Sequence, residues 1–252
     1  MIEFISLIDG VEETMPIIPA SQQKYDWVQK ATKDFKDRGS LIKLSEDVEL
    51  NSCLDVTHTS KCPGIIRFKG KGFIVKNHSD IKLKIKDNLY EWTTPTSWAD
   101  TSNNFCEDAV SHHLKESLHD FMSGWPKDTL PIIIKINLPW HMRIPKNWEV
   151  MMIDPFYKDD FRFTVCPGIF EHDLGLAKLT VPVFWHSTNG EFLIKSGTPI
   201  AQLIPIKQEK INYTLKNKTT DKNFKKDFNL MFLKMKENFD TNYNKIRNFF
   251  KS

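Results

Sequence analysis

The 252 residues are 40% hydrophobic and 12% aromatic, enough for a folded core, and their 27% charged side chains nearly cancel to a net charge of +3. No apolar run approaches the roughly 18–20 residues that cross a bilayer as a helix, and the opening MIEFISLIDGVEE lacks the basic flank of a secretory signal. Cys53, Cys62, Cys106 and Cys166 form no CxxC pair, which argues against a zinc ribbon or disulfide framework and for the reduced thiols of a cytosol.

In chain order, Ile2, Phe4 and Ile5 predict a strand that Asp9-Gly10 ends. Pro16 and Pro19 stiffen an extended arm. Ser21 is the predicted N-cap of a helix running to Asp37, with Trp27, Val28, Ala31 and Phe35 on one side. Trp27 then anchors the arm to the core. Between Leu41 and Trp92 strands are predicted at Gly64–Phe68, Phe73–Val75 and Ile81–Ile85. The last alternates apolar residues with lysine, so one sheet face is wet.

Pro95 to Asn104 reads as a polar loop. An inserted helix is predicted from Asn104 to Ser123, with Val110, Leu114, Leu118 and Phe121 as its buried stripe and Gly124-Trp125-Pro126 as its stop. Strands resume at Ile132–Ile136 and continue to Ile206, with sharp turns at Pro167-Gly168 and Ser196–Pro199. From Lys222 to Phe250 the spacing of Phe224, Phe228, Met231, Met235, Phe239, Ile246 and Phe249 predicts an amphipathic helix.

Charge is unevenly placed. Residues 207–252 hold twelve Lys or Arg against five acids, and the other 206 residues hold 23 against 27. Such a tail is either a solvated helix face or a contact for nucleic acid, an anionic membrane or an acidic partner. The fold class expected is mainly β (α+β). A single β-rich domain, 1–210, carries an N-terminal arm and helix, an inserted helix near 105–123 and a curved mixed or antiparallel sheet. A basic amphipathic C-terminal helix, 211–252, follows; docking on the chain's own domain is its default role, subunit pairing or a membrane surface the alternatives. The sheet's edges need cover, from the arm or from another subunit, which makes a homo-oligomer an expected partner.

Candidate sites fall in several places. His112, Glu116 and His119 share one face of the predicted inserted helix, with Asp108 a turn earlier. They form either a zinc or iron site or a solvated face. His78-Ser79-Asp80 has the HxD form of a metal facial triad, with His141, His172 or His186 as the distal ligand; otherwise Asp80 is a turn acceptor. Glu171, His172 and Asp173 follow the Pro167-Gly168 turn, and Asp154, Asp159 and Asp160 lie one loop earlier and join them as candidate ligand contacts that orient water or hold a divalent metal; the alternative is an acidic, solvent-facing β-corner. Cys166 lacks a base placed by sequence. Trp140, Trp148 and Trp185 line either a pocket or the core.

Two resemblances arise at these residues. Tyr25-Asp26-Trp27, Pro139-Trp140 with Pro145, the turn Pro167–Asp173 and GTPIAQLIPI at Gly197–Ile206 together resemble a protein family of tailed phages, notably marine ones. That likeness spans most of residues 16–210 and implies a source rather than an activity. The blocks Gly168–Gly175 and Gly197–Leu203 are also similar to the trimeric dUTPase and dCTP deaminase β-clip fold. This second resemblance implies a β-clip or β-roll scaffold, places Glu171 at the water-orienting carboxylate, and adds Gln202 to the candidate ligand contacts. The chain departs from that pattern at Leu174, where the fold has a tyrosine. It also has no Arg-Ser-Gly phosphate loop and no glycine-rich C-terminal arm.

Three functions are expected from these features. The first is a phage accessory protein with a dUTPase-like scaffold that binds a nucleotide or other small ligand, with Glu171 and Asp173 as catalytic candidates. It would reside in the cytoplasm of an infected bacterial host or be associated with the virion. The second is a structural or interaction protein that makes contacts only. The third is an iron and 2-oxoglutarate-dependent oxygenase built on His78 and Asp80.

Overall fold

Twelve-residue strand β7 (Ile132–Arg143) organises the first of three sheets. One of its edges pairs with β11 (Leu176–Trp185). Its other edge is shared by β6 (Val110–Leu114) along residues 132–136 and β1 (Glu3–Ser6) along residues 140–143. β9 (Phe163–Val165) closes the far side of β11. The computed structural model describes residues 1–6, 8–25, 63–95, 108–114, 124–155, 158, 160–172 and 175–208.

Proline shapes the middle of β7. Leu138, Pro139 and Trp140 face the single residue Leu179 across the β11 ladder, because Pro139 has no N–H to donate and the strand bulges there. The bulge delivers the Trp140 Nε1 to the Met15 carbonyl at 3.1 Å, tying the N-terminal arm to the sheet.

The second sheet runs β10 (Gly168–Glu171), β8 (Trp148–Ile153), β13 (Pro199–Lys207), β3 (Phe73–Lys76) and β2 (Ile18–Pro19). The third runs β12 (Gly190–Ile194), β4 (Ile81–Lys86) and β5 (Leu89–Thr93). Every ladder among the described residues is antiparallel. β4 buries Ile81, Leu83 and Ile85 and exposes the lysines between them, as its alternation predicts. Val75, Leu83, Ile134, Val181 and Leu203 bring all three sheets to one hydrophobic core.

Three predicted elements differ. Pro63–Lys69 is a helix, α2, after the short α1 (Val11–Thr14), and not a strand. Proline at the first position and Gly70 and Gly72 just past the end frame it. The buried Gln202 amide of β13 then takes up the Phe68 and Lys71 carbonyls at 3.1 and 2.8 Å. Val110–Leu114 is a strand, not part of a helix. Ser21 lies in a single 3-10 turn, Ala20–Gln22, after which Gln23 is already extended, so no helix begins there.

The described residues all belong to one compact unit, Met1–Gln208. Residues 26–37 with Trp27, residues 115–123 with Glu116 and His119, Asp159, Asp173, Leu174, and the predicted helix at 222–250 lie outside the described residues. Among the described residues no helix is long and apolar enough to cross a membrane.

Candidate ligand-binding cleft

The loop from β8 to β9 is built around a buried cation. Lys158 is 3% exposed, and its ammonium donates to Asp154 Oδ1 at 2.8 Å and to the Phe163 carbonyl while lying 4.1 Å over the Phe163 ring. Asp154 Oδ1 also accepts the Val165 N–H at 2.9 Å. Burial pulls the Lys158 pKa down, against the opposing pull of Asp154 and Asp160. Asp160 grips Arg162 through Nε and Nη2 at 2.9 and 2.7 Å. Burial raises that carboxyl, but the Arg162 fork outweighs it and holds the acid below its ordinary value.

His186, just past β11, takes its place beside this loop through its N–H, which donates to the Arg162 carbonyl at 2.8 Å. Its ring nitrogens meet two hydroxyls, Nε2 to Thr164 at 2.9 Å and Nδ1 to Thr129 at 3.1 Å. Burial first, and the Lys158 charge second, push its pKa down.

The opposite wall is the turn between β12 and β13, and the HxD segment holds it. The Ser196 N–H donates to Asp80 Oδ1 at 2.8 Å, and the Ser196 hydroxyl donates to the His78 carbonyl at 3.1 Å. The Asn77 amide donates to the carbonyls of Ser79, Ile194 and Lys195. Asp80 is thus a turn acceptor, as the simpler reading of the motif has it. His78 is buried, which pulls its pKa to about 4.

A consequence for stability follows from that histidine. The unfolded chain binds a proton near pH 6.5 and the native chain only near pH 4. Stability is therefore full above about pH 6.5 and falls as pH drops through this window, by on the order of 3 kcal/mol at pH 4. Urea titrations at a series of pH values should show this acid slope in the native chain and a flattened one in His78→Gln. An equal slope in both would contradict it.

Between these walls opens a cleft of about 970 Å³, lined among the described residues by Lys24, Lys158, Arg162 and Lys195 and by the carboxylate of Asp160. Tyr25, Phe161, His186 and Leu193 complete much of its surface. Phe161 is 75% exposed and Leu193 41%.

The acids predicted to act together are separated. Glu171 pairs with Glu149 on β8, whereas Asp154 lies beyond the other end of that strand, roughly 16 Å away at about 3.3 Å per residue. Asp154 and Asp160 belong to the cleft loop. Glu171 is exposed and His172 half-buried. Gln202 is occupied with α2.

His112 sits on a strand and meets the Tyr90 hydroxyl through Nδ1 at 2.9 Å. His141 lies on β7 between Ile5 and Lys178. Among the described residues no three His, Cys, Asp or Glu side chains converge in a way that could hold a metal ion. Burial pushes the Cys166 thiol up to about 12, away from nucleophile chemistry. Trp185 belongs to the hydrophobic core, and Trp148 is a partly buried side chain packed against that core.

Lys158, Arg162 and Lys195 had no motif to mark them. They converge from separate loops, and only the alternation of charge around Asp160 hinted at the first two. No protein-family model matches the chain, and no curated protein matches it.

Proposed function

We propose that the protein binds a small anionic ligand of the nucleotide class in this cleft. The observation that carries the reading is its charge: among the described residues four cations and one carboxylate line a space within the usual size of small-molecule sites. Phe161 presents an exposed ring on which a planar base stacks. The blocks that resemble the dUTPase fold form β10 and β13, both neighbours of β8 in one sheet, which supports a β-clip-like scaffold. The same resemblances support a phage accessory protein acting in the host cytoplasm. The ligand site, however, lies at the cleft rather than at Glu171, because Glu171 and Glu149 face each other and repel a polyanion.

The test is calorimetric titration of the full chain with deoxynucleoside triphosphates at low ionic strength, beside Lys195→Glu. Lys195 is exposed, so its replacement leaves the fold intact. Saturable binding that weakens with salt, and falls at least roughly tenfold in the variant, is the expected result. Unchanged affinity in Lys195→Glu would remove the cleft from the reading. No binding, together with a discrete oligomer by light scattering, would favour a protein that acts by contacts alone.

A further inference from the structure

We propose that Thr164, His186 and Thr129 form a nucleophile, base and orienting group beside the cleft, with His186 the member that lines it, and that the substrate class is a carboxylic ester bearing an anionic group. The assignment takes one of the two hydrogen placements that the contacts allow. With the single Thr129 hydroxyl proton on the Lys127 carbonyl at 3.3 Å, the 3.1 Å contact between Thr129 Oγ1 and His186 Nδ1 runs from Nδ1–H to the hydroxyl oxygen. That leaves the Nε2 lone pair to accept the Thr164 O–H at 2.9 Å. A hydroxyl polarised by a ring nitrogen, with the other nitrogen held by a third group, is the polarity that nucleophilic acyl transfer requires.

The surroundings agree with the role. Thr129 is 4% exposed, so the orienting hydroxyl is fixed. The His186 backbone is pinned to Arg162. Burial, with the Lys158 charge second, holds the imidazole pKa below its ordinary value and so favours the neutral ring. Lys158 and Arg162 line the same cleft as His186, each held by a carboxylate, Asp154 and Asp160.

In the reaction, Thr164 Oγ attacks the ester carbonyl carbon as its proton passes to His186 Nε2. The carbon–alkoxide bond breaks, and the departing alcohol takes that proton. Water then repeats the sequence on the acyl-threonine, releasing the acid and restoring the hydroxyl. Ester and water become acid and alcohol, and no other reactant is needed.

The charged part of the substrate rests on the reading of the cleft as an anion site. The test compares hydrolysis of mono-p-nitrophenyl succinate and of neutral p-nitrophenyl acetate by the full chain. The succinate ester should turn over faster, with an acid limb below the ordinary histidine value. Thr164→Ala and His186→Gln should lose about 100-fold of the rate above background, and Thr164→Ser should retain it. Thr129→Val should lower kcat with KM unchanged, and peptide mapping after rapid acid quench should find the acyl group on Thr164. Equal rates in the native chain and the Thr164→Ala and His186→Gln variants, with matching thermal melts, would overturn the assignment. If nucleotides still bind while the ester is untouched, the relay fails alone; if neither occurs, the cleft reading fails with it.

Discussion

Gly72→Ala is expected to lower stability by about 3 kcal/mol or more, the sum of a left-handed backbone penalty and an overlap that packing cannot relieve. Gly72 has φ +76°, and a Cβ added there lies 2.0 Å from the Leu203 carbonyl oxygen. That oxygen belongs to β13, held on one side by β3 and on the other by β8. It cannot retreat without breaking ladder bonds in the middle of a sheet. Urea unfolding followed by circular dichroism checks this through the midpoint at constant slope. Gly168→Ala is the control, since no atom lies within 4 Å of its added Cβ and the change should stay within about 0.5 kcal/mol. Equal midpoints for the two variants would contradict the close approach at Gly72.

Trp185→Ala should cost about 3–5 kcal/mol, the usual range for emptying a fully buried aromatic site, and lower Tm by roughly 10 °C. The ring is 0% exposed. It stacks on Phe163 at 5.8 Å and 12°, and meets Phe192 edge-on at 5.2 Å. The Arg162 guanidinium lies 5.9 Å from its centre, so the loss reaches the cleft, and nucleotide affinity should fall along with stability. Trp185→Phe separates the two contributions of the side chain. Trp185 Nε1 has no hydrogen-bond partner among the described residues, so phenylalanine forfeits volume but none of the described hydrogen bonds and should recover most of the lost stability. A Trp185→Phe melt as low as that of Trp185→Ala would count against this packing.

How far the fold could be read from the chain depended on the period of each segment. Ile81–Lys86 alternates strictly, and only a half-buried strand accommodates that. Val110 and Leu114 mislead because a spacing of four residues places two side chains on one face of a helix and equally on one face of a strand; the pairing to β7 decides between them. At Ile65-Ile66 the β-branched pair suggests a strand. The stronger signals were the proline before it and the glycines after it, and these agree with the helix.

The candidate site was legible only where it is local. Asp154 and Asp160 sit in one loop and drew notice for their acidity, yet their roles are to fix Lys158 and Arg162. His78 and Asp80 matched a ligand motif but serve a turn more than a hundred residues away. The cleft's positive character comes from cations on the arm, the β8–β9 loop and the β12–β13 turn. No linear pattern records their convergence, because it is set by strand order.

That strand order bears on synthesis of the chain. β13 lies between β8 and β3, so β3 and β8 each wait for a neighbour that is translated after both. From Lys76 to Pro199 a ribosome needs on the order of ten seconds at about 5–20 residues per second. Throughout that interval Ile74 and Val75, and from their own synthesis onward Val150 and Met152, all buried in the finished protein, have no sheet partner on that side. The nascent chain therefore presents apolar strand edges for far longer than a hairpin takes to form, and its yield in cells should depend on chaperones that hold such segments until the keystone strand emerges.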